Sequence, residues 1–140
     1  MSNNKIALVT GGSRGLGRDM AISLSKKGLD VIITYQSNKE AADEVIGQIE
    51  QNGQKGFAIH LDVMDLKSFD TFSSLLKSSL SKSFGTEKID YLVNNGGFIH
   101  YANYTDATPE QFEELLNVHF KGPFFLTQKL LNELILRDNG

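Results

Sequence analysis

The chain has 140 residues, 40% hydrophobic and 22% charged, enough for one domain with a real core and too short for two. Its net charge of -3, from 14 basic and 17 acidic residues, gives no electrostatic reason to expect nucleic acid or an anionic membrane as partner. There is no cysteine, which excludes disulfides, thiolate metal sites and cysteine nucleophiles. The N-terminal apolar run is too short for a signal peptide and no stretch approaches the ~18 residues of a membrane span, so the cytoplasm is the expected location.

The first element is KIALVT, a continuous apolar run over Lys5–Thr10 that stops at two glycines. Leu16, Met20, Ala21 and Leu24 then recur at helical spacing up to Gly28, a helix stop. DVIITY (Asp30–Tyr35) is a second strand. Ser37 followed by Glu40 spells a capping box, with Ala42, Val45, Ile46 and Ile49 on one helical face behind it. GFAIHLDV (Gly56–Val63) is a third strand, and Leu66, Phe69, Phe72, Leu76 and Leu80 form the next amphipathic helix. IDYLVN (Ile89–Asn94) is a fourth strand ending at Gly96-Gly97. Thr108 as N-cap and Pro109 in the first turn open a long helix over residues 109–136, with apolar positions from Phe112 through Phe124 to Leu134.

Strands that are apolar throughout are covered on both faces, and their alternation with helices implies parallel pairing. The expected fold is α/β, a doubly wound parallel sheet of Rossmann type, truncated after the fourth strand and helix. Its ligand site belongs at the carboxyl ends of the strands. The turn T-G-G-S-R-G-L-G (Thr10–Gly17) lies between the first strand and first helix, the context that a phosphate cradle requires. Gly11 permits the tight turn, Gly15 a close approach of backbone to pyrophosphate, and Gly17 close packing of helix on strand. Unpaired helix N–H groups, with Ser13 and Leu16 around them, face the phosphates.

The spacing T-G-x-x-x-G-x-G resembles the short-chain dehydrogenase/reductase family. So do Leu61-Asp62-Val63 after the third strand, Asn94-Asn95-Gly96-Gly97 after the fourth, and Val118-His119-Phe120-Lys121-Gly122-Pro123-Phe124 on the last helix. The resemblance covers the family's N-terminal, cofactor-binding portion only. It implies a nicotinamide dinucleotide as cofactor, with Asp62 and Val63 near the adenine and Asn95, Gly96 and Gly97 along the crevice. It also implies hydride transfer between that cofactor and a small carbonyl or alcohol substrate.

A carboxylate at the end of the second strand selects NAD by accepting from the ribose 2′-OH. Here that place reads Tyr35-Gln36-Ser37-Asn38, without an acid. With Arg14, Ser37 and Asn38 as donors, NADP(H) is expected over NAD(H). Arg14 as an ordinary surface arginine is the alternative.

YQSNK (Tyr35–Lys39) spells the Tyr-x-x-x-Lys with which the family moves a proton. Tyr and Lys share a face only when both are helical, and Ser37 as N-cap leaves Tyr35 outside the helix. The pair therefore reads as the loop that discriminates between cofactors. The family's catalytic Ser, Tyr and Lys would follow the fourth helix, where this chain stops, so residues 1–140 are expected to be an incomplete dinucleotide-binding domain. Turnover by this stretch alone is not expected, and a non-catalytic dinucleotide-binding fragment is the competing reading. His119 stands where the family's helix-four Asn supports a proton relay; it either preserves that relay or only packs and bonds backbone. His60 and His100 show no metal-ligand spacing. The long helix, exposing Phe124, Phe125 and Leu131, is a candidate homo-oligomer contact.

Overall fold

The computed structural model describes residues 4–133 and 135–137. Four parallel strands, β1 (Ile6–Val9), β2 (Asp30–Tyr35), β3 (Gly56–His60) and β4 (Tyr91–Val93), lie in the order β3-β2-β1-β4. Between them run α1 (Gly15–Lys26), α2 (Lys39–Gln51) and, after a 3₁₀ turn at Leu66–Ser68, α3 (Phe69–Phe84). α4 (Pro109–Leu116), a π-helical turn (Asn117–Lys121) and α5 (Gly122–Asn132) follow β4. The strand order reverses between β1 and β4, which opens a crevice at their carboxyl ends.

Alternate strand residues supply two apolar layers. Leu8 and Ile32 pack with Phe72, Leu76 and Leu80 of α3 and Leu126 and Leu130 of α5. Val9, Val31 and Ile33 pack on the other face with Ala21 of α1 and Ala42, Val45 and Ile49 of α2. At the far end of the strands Asp90, 6% exposed, accepts from the Ile6 amide and pairs with Lys5 and Arg137.

Three expectations are corrected. Ser37 does not cap α2: Asn38 does, its Oδ1 accepting the Ala41 N–H at 2.9 Å, so the Ser37–Glu40 box does not form. Thr108 does cap α4 as expected, and with Gln111 it also closes a capping box. β3 ends at His60; Leu61 still donates to the Tyr35 carbonyl, but Asp62 then turns the chain by accepting the Met64 N–H. The long helix is not one rod. Pro123 has no N–H to return to the carbonyl of His119 four residues back, and its ring crowds that carbonyl. The helix widens there into the π turn, in which the Gly122 N–H reaches the carbonyl of Asn117.

α5 stops at Asn132, short of residue 136. Ile135 is buried, and Leu136 bridges Ile89 in parallel, with hydrogen bonds from Ile89 N to Ile135 O and from Arg137 N to Ile89 O. Among the described residues this is an isolated parallel bridge just ahead of β4 and not a further strand. Leu134 lies outside the described residues.

Candidate cofactor-binding crevice

A cavity of about 530 Å³ lies over the carboxyl ends of the sheet. It is lined by Gly11, Ser13, Arg14, Gly15 and Leu16 from the glycine turn, Tyr35, Ser37 and Asn38 after β2, Asp62 and Val63 after β3, and Asn95, Gly96 and Gly97 after β4. Every residue that the motifs assigned to the cofactor is therefore gathered at one opening except Gly17. That glycine lies behind the turn, where an added Cβ would stand 2.2 Å from the Gly11 carbonyl oxygen and 2.4 Å from Asn95 Nδ2. Gly15 has φ +55°, and its missing Cβ would meet nothing within 4 Å. Its side of the turn is open for a ligand to press against the backbone.

The turn is held by side chains that the motif alone does not specify. Thr34 Oγ1 accepts the Gly11 N–H at 3.2 Å, and the Thr34 carbonyl accepts the Gly12 N–H at 3.0 Å. Thr10 Oγ1 accepts the amides of Asn95 and Gly96 at 3.0 and 2.9 Å. Asn95 Nδ2 donates back to the carbonyls of Thr10 and Gly11 at 3.1 and 3.3 Å. Thr10 and Thr34 are both 1% exposed, so these bonds are shielded from water and lock the turn onto β2 and β4.

The first turn of α1 has no side-chain cap and no acidic residue, whereas α2 and α4 are both capped. Its N–H groups point into the crevice with the positive end of the helix dipole. Arg14 adds a full positive charge at the rim, and Asp62 is the carboxylate in the lining. This donor set and the open face of Gly15 fit a dinucleotide: an uncapped helix end and bare backbone for the pyrophosphate, and no carboxylate where β2 ends.

Tyr35 and Lys39 do not form a proton-transfer pair. Tyr35 closes β2 with its ring edge-on to His60 at 5.8 Å. Lys39 begins α2 and reaches Asp43 at 2.6 Å; that hydrogen bond, then the charge of Asp43, raises its pKa above the ordinary 10.5. His119 is outside the cavity lining. Its Nε2 donates to the Phe98 carbonyl at 2.6 Å. His100 pairs with Glu114 at 2.7 Å, and among the described residues no three His, Asp or Glu side chains converge as a metal site would require.

Sequence reasoning missed several participants. Gly12 was passed over, yet its Cβ would fall 2.5 Å from the Ile33 side chain beneath it. Gly122 presses on the carbonyl of Val63, which a Cβ would approach to 2.1 Å. Thr34, Met64, Phe98 and Val118 also line the cavity. Val118 and Gly122 did carry a signal, the motif segment on the last helix, and the π turn carried another, a proline inside a helical pattern.

Comparison with known proteins agrees with this geometry. The profile of the family described as short chain dehydrogenase matches residues 5–140. Versicolorin reductase 1 of Aspergillus parasiticus is 33% identical over 138 residues, covering 99% of this chain and 50% of that protein. The 3-oxoacyl-[acyl-carrier-protein] reductase FabG of Staphylococcus aureus is 32% identical over 140 residues, covering 100% of this chain and 54% of its own. Among solved structures, the angucycline C-6 ketoreductase LanV with bound NADP superposes with a TM-score of 0.90 at 34% identity, over 97% of this chain and 52% of that one. An alcohol dehydrogenase from the archaeon Thermococcus sibiricus complexed with 5-hydroxy-NADP gives 0.80 at 27% identity, over 94% and 54%. The chain spans about half the length of the curated relatives it matches.

Proposed function

Because the chain belongs to the short-chain dehydrogenase family, we propose that residues 1–140 are a dinucleotide-binding domain that holds NADP(H) in preference to NAD(H), as part of an oxidoreductase acting on a carbonyl or alcohol. When bound, the nicotinamide supplies or accepts the hydride. The chain's own residues do the holding. The N–H groups at the start of α1 receive the pyrophosphate, Gly15 lets it approach, and Asp62 and Val63 border the adenosine end. Asn95, Gly96 and Gly97 continue the wall toward the nicotinamide. The observation that carries this reading is the uncapped, acid-free first turn of α1 opening on the unobstructed face of Gly15.

The phosphate preference rests on Arg14 at the rim and on the absence of an acid between Tyr35 and Asn38. Ser37 remains a free donor there. Asn38 spends its Oδ1 on the helix cap, which leaves its amide N–H for the ligand. NADP in the LanV structure and 5-hydroxy-NADP in the Thermococcus sibiricus enzyme support the same choice.

Within residues 1–140 the one Tyr-x-x-x-Lys spacing is Tyr35 to Lys39, whose placement rules it out as a proton donor to substrate. That favours a second reading for this stretch taken alone, dinucleotide binding without turnover. A homo-oligomer is proposed through α4 and α5, where Phe112, Leu116, Phe120 and Phe124 recur every fourth residue at 67, 47, 66 and 56% exposure. A cytoplasmic location belongs to the same proposal; among the described residues no helix is long and apolar enough to cross a membrane.

The test is titration of the chain with NADPH and NADH, followed by fluorescence, for the wild type and Arg14→Gln. The wild type binds NADPH more tightly. Losing one charge-assisted contact of about 1.5–3 kcal/mol weakens NADPH by roughly ten- to a hundredfold and leaves NADH nearly unchanged. Tighter NADH binding by the wild type refutes the preference, and an equal loss for both cofactors refutes the role of Arg14.

A further inference from the structure

We infer that Met64 is a reversible oxidation site through which hydroperoxides control occupancy of the crevice. Met64 lines the cavity and is partly exposed, so a small oxidant reaches its sulfur through the same opening as the ligand. The chain holds three methionines. Met1 lies outside the described residues, and Met20, partly exposed on α1, takes no part in the cavity lining. Met64 is thus the thioether through which oxidation reaches the crevice, and Met20 is a control within the same molecule.

The backbone that carries Met64 is fixed. Asp62 Oδ1 accepts the Met64 N–H at 3.0 Å, and the Asp62 carbonyl accepts the Asp65 N–H at 3.1 Å. This turn over residues 62–65 presents the side chain at the crevice from a set position. Leu61 is buried in one apolar layer and Val63 packs against it, but Met64 belongs to neither layer. Its polarity can therefore change without opening the core. With Val63 and Val118 it forms an apolar part of a lining that also holds Asp62 and Arg14. An apolar part of that kind suits the face of a ring rather than a phosphate.

The sulfur lone pair attacks the terminal oxygen of a hydroperoxide, and the O–O bond breaks. The proton of that oxygen passes to the departing alkoxide, giving an alcohol, or water from hydrogen peroxide. Sulfur loses two electrons and the peroxide gains them. The product sulfoxide is a polar acceptor where the lining was apolar. A ring held there loses an apolar contact, and the neighbouring Asp62 carboxylate, itself an acceptor, cannot satisfy the new oxygen. Methionine sulfoxide reductases reverse the change: a dithiol supplies two electrons and two protons, and the oxygen leaves as water. The effect on binding rests on the dinucleotide reading above, which puts the adenosine end at Asp62 and Val63; the accessibility of the sulfur does not.

The test treats the 140-residue chain and its volume-conserving variant Met64→Leu with hydrogen peroxide. Peptide mass spectrometry follows each methionine, and fluorescence follows NADPH binding. Each protein is compared with itself before and after treatment, so its starting affinity does not enter. Oxidation should weaken NADPH about tenfold in the wild type and not at all in Met64→Leu, in which Met20 still oxidises. Methionine sulfoxide reductases with dithiothreitol should restore the wild type, and the urea midpoint should stay where it was. Equal losses in the two proteins overturn the proposal, as does full oxidation of Met64 with NADPH binding intact, or a loss of binding that accompanies a fall in the urea midpoint. If the untreated wild type does not bind NADPH, the dinucleotide reading fails, and the oxidation rate of Met64 in the folded chain still decides the site. A rate within about tenfold of that in urea supports an accessible sulfur, and one about a hundredfold slower overturns it.

Discussion

Two helical glycines, Gly17 and Gly47, are expected to respond oppositely to the same mutation. Alanine at either gains helix propensity of up to about 1 kcal/mol. At Gly47, in α2, a Cβ meets nothing within 4 Å, so Gly47→Ala should stabilise the chain by about 0.5–1 kcal/mol. At Gly17 the Cβ would stand 2.2 Å from the Gly11 oxygen, 2.4 Å from Asn95 Nδ2 and 2.9 Å from the Gly11 carbonyl carbon. Relief requires a movement of about 1 Å, since unbonded carbon and oxygen settle beyond about 3 Å. Gly11 has nowhere to go, because a Cβ built on it already falls 2.8 Å from the Gly96 Cα. Either helix α1 lifts from the sheet or the bonds of Asn95 to Thr10 and Gly11 break.

Overpacking costs about 1–3 kcal/mol and two weakened hydrogen bonds about 1 kcal/mol each. After the propensity gain, a net loss of about 2–4 kcal/mol remains. Urea denaturation followed by circular dichroism measures both variants, and NADPH titration follows the turn. Gly17→Ala should lose stability and bind NADPH at least tenfold more weakly, while Gly47→Ala gains stability and binds like the wild type. A Gly17→Ala chain as stable as the wild type with NADPH binding intact would refute the packing argument.

Asn95→Asp keeps the side chain's shape but turns its donor into a second acceptor facing the carbonyls of Thr10 and Gly11. It should cost more stability than Asn95→Ala, itself about 1–2 kcal/mol, and equal urea midpoints for Asp and wild type would count against the clamp. Glu133 is held below its ordinary 4.5 chiefly by the hydrogen bond from Lys129 and further by Ser73, against the opposing effect of burial. A lowered folded pKa gives stability that is present above 4.5 and lost as pH falls through the folded value. The wild-type melting temperature should therefore drop toward that of Glu133→Gln between about pH 5 and 3, and a constant gap across that range would exclude the linkage. Lys129, raised above 10.5 by its bonds to Asp70 and then Glu133, acts in the opposite sense, its contribution ending as pH rises through the folded value.

The fold was legible wherever short-range rules suffice. β2 runs over the apolar stretch Asp30–Tyr35, and α1 follows the glycine turn and stops just before Gly28. The α2 cap was misplaced by one residue because Ser37 and Asn38 are both competent caps, and the choice depends on where the strand releases the chain. The long helix was overextended because its apolar pattern runs on through Ile135 and Leu136, which pack beside Ile89 rather than on a helix face. Periodicity does not distinguish those two burials.

The sequence by itself determined the order of elements, the place of the phosphate turn and much of the crevice lining. These follow from backbone freedom and hydrophobic spacing within a few residues. Only the tertiary structure decided why the turn keeps its shape and what His119 touches. Thr10 meets Asn95 across 85 positions of chain, Gly12 yields to Ile33, and Gly97 yields to the His119 ring. Each of these is a matter of clearance between segments distant in sequence. Whether a side chain fits there depends on which atoms the fold brings against it, and no local pattern encodes that.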